Sequence, residues 1–357
     1  MKKIFLAALV AVFGCVNQVF AQSQLATLFQ NGDVKTFYGI NALREAHSSA
    51  KHGDVITLSS GTFNSVDIKK AITLRGAGMQ YDSIAKVEPT IIEGTFNIEL
   101  PNDSVQGKNT LTMEGICNKD VIKINSPVYN AQFVKCNFWY IGSSTNSVTS
   151  NNRDGLHNAN FINCIVSGEL KIRNYGSATV INSYINDPTK ETYKVQFTNY
   201  DNTASFEFLN CVIHFITASP VSYSMYRNCV IYIGNGTADY VPSTSTVYNC
   251  IGTGTTKSIF KNVNGNGTNK DVASLSEIFK NWSGENYLSS FIKENLELTD
   301  AAKTKYLGTD GTQVGIYGGS IPFTARPSNP QITKLNVASK STADGKLSVD
   351  IEVKAAE

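Results

Sequence analysis

A short phrase recurs down the middle of this chain, and it leaves few folds open. It reads Phe133-Val134-Lys135-Cys136, then Phe161-Ile162-Asn163-Cys164, then Phe208-Leu209-Asn210-Cys211. Tyr226-Arg227-Asn228-Cys229 and Val247-Tyr248-Asn249-Cys250 are looser copies, and Val180-Ile181-Asn182-Ser183 carries Ser in place of Cys. The copies return at intervals of roughly 20 to 30 residues, the period of a solenoid in which each repeat is one coil. Most are followed two positions on by another apolar residue: Phe138, Val166, Ile185, Ile213 or Ile231. Side chains of a strand alternate between its two faces. The position two before the Cys, the Cys itself and the position two after it are therefore expected to share one face, directed into a common core. Coils of a parallel β-helix stack about 4.8 Å apart, so equivalent residues form ladders along the interior.

The cysteines test that phase. Met1 to Ala21 has the form of a signal peptide: Lys2-Lys3, an apolar run from Ile4 to Val12, and Val19-Phe20-Ala21 at the cleavage point. The run is too short to span a membrane. Gly14-Cys15 offers a lipidation site, but Phe13 before it fits one poorly, so plain export is the expectation. Cys117, Cys136, Cys164, Cys211, Cys229 and Cys250 remain. An even count in an exported chain points to disulfides. The ladder argues against them, because equivalent Cβ atoms lie one coil apart and a disulfide needs roughly 3.8 Å. Buried free thiols acting as small apolar groups are expected instead. No CxxC and no Cys/His cluster is present, so no metal and no cofactor is assigned. Cleavage would remove Lys2 and Lys3 and leave a chain with no formal net charge. That balance lacks the basic footprint of a nucleic-acid reader. With 41% hydrophobic and 17% charged residues the chain has ample material for a core.

Taken in order, residues 22–52 read as an N-terminal cap, with Leu43, Ala46 and Ala50 at helical spacing over the solenoid's open end. Residues 53–261 read as the parallel β-helix. Residues 262–330 read as an irregular extension that packs on the solenoid or caps it. Residues 331–357 read as a β-hairpin, with Asp344-Gly345 at its turn. The stretch Gly53-Asp54-Val55-Ile56-Thr57-Leu58-Ser59-Ser60-Gly61-Thr62-Phe63, followed by Ile72-Thr73-Leu74-Arg75-Gly76-Ala77-Gly78, resembles the N-terminal end of the pectate-lyase-like superfamily. Asp310-Gly311-Thr312-Gln313-Val314-Gly315-Ile316-Tyr317-Gly318-Gly319 resembles the segment that closes many exported β-helix proteins of Bacteroidetes. The resemblance implies an all-β chain: a single-stranded right-handed parallel β-helix of roughly eight to nine coils. It also implies a link to carbohydrate. It does not fix chemistry, since one fold hosts many functions.

The strand after each Cys phrase carries the candidate site. Aligned on their apolar residues, Ile122-Lys123-Ile124-Asn125, Leu170-Lys171-Ile172-Arg173 and Val195-Gln196-Phe197-Thr198 stack Lys123, Lys171 and Gln196 on an outer face, with Glu169 close by. Loops from neighbouring coils bring Arg153 and Asp154 from one side and Asp187 and Lys190 from the other. Trp139 and Tyr140 offer a flat surface for a sugar ring. If the chain is an enzyme, it is a polysaccharide lyase. Lys171 would take the C5 proton of a uronate, and Arg173 would neutralise its carboxylate, with Lys123 as a second cation. The same column also fits a solvated face on which Lys171 pairs with Glu169. Calcium chemistry needs convergent carboxylates that the sequence does not gather. His157 and His214 have no metal-spaced partner and read as surface or hydrogen-bonded residues. Two functions therefore stand: an exported solenoid that binds polysaccharide or a cell-surface glycan, with or without cleavage, and a non-catalytic adhesin-like or structural solenoid.

Overall fold

The computed structural model describes residues 24–83, 86–101, 110–143, 154–172, 176–186, 205–215, 223–233, 240–254, 258–261, 263, 269–282, 296–326, 331–337, 340–342 and 344–354. The chain is a parallel β-helix. Its first sheet has 11 strands. Nine of them are parallel, running from Val55–Leu58 through Gln132–Val134, Ala159–Ile162, Ser177–Ile181, Ser205–Leu209 and Met225–Arg227 to Thr246–Tyr248. The second sheet carries the other side of each coil, from Gly61–Asn64 through Ile116–Ile124, Asn137–Ser143, Ile165–Lys171, Tyr184–Asn186, Val212–Phe215 and Val230–Ile233 to Ile251–Gly254. Pro127–Tyr129 and Gly155–His157 pair on a short third side.

A single residue turns the chain from the first sheet to the second. It is Gly115, Lys135, Asn163, Asn182, Asn210, Asn228 and Asn249 in successive coils, with φ of 64°, 51°, 54°, 44°, 51°, 56° and 47°. This left-handed conformation crowds Cβ, and Asn tolerates it better than other residues with a side chain. The Asn of the repeated phrase is therefore a turn residue. It also breaks the alternation on which the phase expectation rested. The position two before the Cys, at Val134, Ile162, Ile181 and Leu209, faces outward and is half-buried. The core residue is three before it: Phe133, Phe161, Val180, Phe208, Tyr226 and Val247 are fully buried. Phe133 stacks on Phe161 at 4.7 Å and Phe208 on Tyr226 at 5.1 Å. Each fully buried ring of this size stabilises the fold by roughly 1.5–3 kcal/mol.

Beyond the turn the expected ladder holds. Cys136, Cys164, Ser183, Cys211, Cys229 and Cys250 stack inside, while Cys117 lies one step outside the ladder, in register with Asn137. All six of the described cysteines are free and buried. The Cys164 and Cys211 thiols donate to the Phe133 and Val180 carbonyls of earlier coils, each at 3.2 Å. Burial raises the pKa of Cys136, Cys211 and Cys250 well above the usual thiol value, so these groups stay protonated and inert.

At the N-terminal end, Leu25–Gln30 and Asp33–Tyr38 form a hairpin that adds antiparallel strands to the first sheet. Helix α1, Ala42–Ser49, buries Leu43 and Ala46 against the core. After the last coils the chain doubles back. Residues 275–282 and 296–323 lay Leu275, Ile278, Phe279, Val314, Ile316 and Phe323 over the outside of the second sheet, on Ile165, Tyr184, Val212, Val230 and Ile251. The turn asparagines hold this strap. Asn163 Oδ1 accepts from Thr324 N at 2.6 Å, Asn182 Nδ2 donates to the Ile316 carbonyl at 2.8 Å, and Asn228 Oδ1 accepts from Thr309 N at 2.8 Å. The chain ends in an antiparallel ribbon, Gln331–Val337 against Val349–Lys354, whose turn includes Gly345 at φ 80°. Among the described residues no helix is long and apolar enough to cross a membrane.

Candidate functional site

Two outward faces hold polar and aromatic groups. The first is the one the sequence nominates. Lys123, Trp139, Tyr140, Glu169 and Lys171 lie on three adjacent strands of the second sheet, with Tyr140 in register with Glu169. The stacking of Lys123 on Lys171 is not as expected. Gly142 stands between them, so the two lysines are two coils, about 10 Å, apart. A side chain at Gly142 would collide: an added Cβ would lie 2.5 Å from Lys171 Cβ. Lys123 is exposed, whereas Lys171 is 8% exposed. Trp139 packs against Gly168, and the Tyr140 hydroxyl donates to the Ser143 carbonyl at 3.5 Å. Asp154 is half-buried, and its carbonyl accepts from Ser143 Oγ. Arg173, Arg153, Asp187, Lys190 and Gln196 lie outside the described residues. On the N-terminal side of this face a hydrogen-bonded ladder continues, with Asn97 donating to Asp67 at 2.7 Å and Asn125 to Glu99 at 3.4 Å.

The second face belongs to the first sheet, and its only trace in the sequence is the loosening of the repeats. An open cleft of about 710 Å³ runs over the last four to five coils, lined among others by Thr179, Glu207, Tyr223, Met225, Arg227 and Tyr248. Strand register places Glu207 beside Met225, and Arg227 between Leu209 and Tyr248. The Arg227 guanidinium lies 5.7 Å from the centre of the Tyr248 ring and donates to Met225 Sδ at 3.4 Å. With five N–H donors in its guanidinium, Arg227 keeps donors beyond these two contacts. Tyr223, at φ 56°, stands half-exposed on the cleft's rim. Among the described residues neither Glu207 nor Arg227 forms an ion pair. A signal for this cleft was present in the phrase: two before the Cys, the aliphatic residue of earlier copies becomes Arg227 and then Tyr248.

The histidines are structural. Lys69 N donates to His47 Nε2 at 3.2 Å, and Ala71 N donates to His52 Nδ1 at 3.1 Å. His157 stacks on Tyr129 at 4.9 Å. His214 is fully buried under the strap, 3.4 Å from the Tyr184 hydroxyl, and burial lowers its pKa to about 3. No group of three or more His, Cys, Asp or Glu that could hold a metal ion occurs among the described residues.

Compared with known protein families, with curated proteins and with solved structures, the chain finds no match in any of the three.

Proposed function

We propose that the protein is an exported, polysaccharide-binding solenoid that engages glycan on the outer face of its first sheet. The observation that carries this reading is the cleft at Glu207, Arg227 and Tyr248. Sugar recognition needs an aromatic face for the ring's C–H surface and fixed polar groups for neighbouring hydroxyls. Tyr223 and Tyr248 supply the first. The Glu207 carboxylate and the Arg227 guanidinium, one an acceptor and the other a donor, supply the second. The motifs that resemble the pectate-lyase-like superfamily support the same ligand class.

Binding is favoured over cleavage. Glycoside hydrolysis uses two carboxyl groups flanking the bond, and Glu207 is the one acid among the described lining residues. Lyase chemistry at Lys171 would need the amine to reach substrate, and that side chain is 8% exposed. The reading is tested by passing the full chain over immobilised plant, algal and microbial polysaccharides. Retention is expected on at least one, and Tyr248→Ala is expected to weaken it about tenfold, as loss of a central aromatic anchor does. Retention on none would sink the reading. Ultraviolet absorbance from a new unsaturated sugar would replace binding with cleavage.

A further inference from the structure

The outward position two before the Cys forms a continuous apolar stripe. Val134, Ile162, Ile181 and Leu209 are in register on four successive strands of the first sheet. They belong to neither the interior core nor the apolar layer beneath the strap, and each is half-buried. Two positions back on the same strands runs a second outward stripe: Gln132, Asn160, Thr179 and Glu207. Residues two apart on a strand are separated by roughly 6.6 Å. The surface is thus a flat track, greasy along one side and hydrogen-bonding along the other. It leads into the cleft at Arg227 and Tyr248. The strap bonded to Asn163 and Asn182 runs beside its apolar margin.

Three features of this track select an occupant. An extended pyranose chain has the same amphipathic cross-section, with C–H faces on its rings and hydroxyls at their edges. Its advance per ring is close to the strand spacing of about 4.8 Å, so each coil can present the same pair of side chains to each sugar. The stripes carry no ionisable group from Gln132 to Ile181, and the carboxylate at the near end, Glu114, is engaged by Arg75 at 3.3 Å. From Gln132 to Arg227 the two stripes offer an acidic polymer one cation, Arg227; Arg75 is engaged by Glu114, and Lys135 stands off the stripes at the corner. We infer that the first sheet binds an uncharged, extended, equatorially linked hexose polymer lying along the solenoid axis, about one ring per coil. This rests on the glycan-binding reading of the cleft and adds the ligand's class, direction and length.

The test is calorimetric titration of the full chain with cello- and manno-oligosaccharides of two to six rings, and with oligogalacturonates of the same lengths as acidic controls. Affinity for one neutral series is expected to rise about tenfold or more from trimer to hexamer. Ile162→Thr combined with Ile181→Thr keeps β-branched residues in the strands. It is expected to remove most of that gain while leaving the trimer's affinity and the melting temperature unchanged. Should the double variant melt early, Gln132→Ala on the polar stripe makes the same measurement. A hexamer bound no more tightly than a trimer would overturn the track and leave the cleft standing. A series in which oligogalacturonates bind tightest would overturn the uncharged assignment. Binding of no oligosaccharide, together with no retention on any polymer, would remove the glycan reading and the track with it.

Discussion

The outer faces of the two sheets are built from the same coils and have opposite fates. On the second sheet the residue after the ladder position is Asn137 in the first of these coils and then Ile165, Tyr184, Val212, Val230 and Ile251, and the strap buries those five. Gly315, at φ 81°, lets the strap's backbone come close, since an added Cβ there would lie 3.2 Å from Val230 Cγ2. On the first sheet the outward stripe is aliphatic for four coils and then turns to Arg227 and Tyr248, and no segment of the described chain is packed into a core over it. The difference teaches that alternation alone does not decide what a solenoid face does. A face whose outward column stays apolar is completed by the chain's own extension. A face whose column is mixed is left without such a cover among the described residues.

The largest effect is expected where the covered face is broken. Phe279 is 2% exposed and stacks on Trp282 at 5.7 Å. Phe279→Ala should cost about 3–5 kcal/mol in urea unfolding, the usual penalty for emptying a buried aromatic site. A loss below about 1 kcal/mol would mean that the strap only rests on the sheet.

Acid should also act on the covered face first. His214 lies fully buried beside the Tyr184 hydroxyl, with the Trp282 and Tyr232 rings edge-on at 5.4 and 5.7 Å. Burial lowers its pKa to about 3, so the unfolded chain takes up the proton more readily than the folded one. Its contribution is intact above an unfolded value of about 6.5 and is lost as pH falls towards 3, at about 1.4 kcal/mol per unit. His47, lowered to about 4 by burial and by Lys70, titrates in the same window. The informative quantity is therefore the difference between the wild type and His214→Gln. Unfolding free energies at pH 7 and pH 4.5 should show a steeper decline for the wild type. Equal slopes would assign the acid sensitivity to the cap.

The solenoid was legible because its repeats record two physical needs at once, a small apolar residue inside and a residue that accepts positive φ at the corner. Sequence reading saw the first and missed the second. Treating Phe-x-Asn-Cys as one continuous strand put Ile162 and Leu209 inside, whereas the Asn turn puts Phe161 and Phe208 there. That phase hides the outer track, because it places the residues that form the track in the core. Lys123 was legible as an exposed residue, but the burial of Lys171 and the coil containing Gly142 were not, since a glycine leaves no side chain to align in the outer column. The strap was legible only as an irregular extension, because its apolar residues follow the columns of another surface and not a period of their own.

The smallest effect is expected at the seam between the two faces, where Asn182 serves both. Its backbone, at φ 44°, turns the chain out of the first sheet. Its side chain donates to the Ile316 and Gly318 carbonyls of the strap at 2.8 and 2.6 Å. Asn182→Gly keeps the turn and removes the clasp, leaving two carbonyls without this donor, and should cost about 1–3 kcal/mol. Asn182→Ala removes the clasp and also places a Cβ in the left-handed region, which adds about 1–2 kcal/mol of backbone strain offset in part by glycine's extra unfolded-state entropy. Alanine is therefore expected to unfold more readily than glycine by something near 1 kcal/mol. The two variants measured side by side separate the corner from the strap. If they are equally stable, the Asn of the repeat is there for the strap alone. If glycine matches the wild type, the clasp contributes little, and the covered face is held by Phe279 and its neighbours.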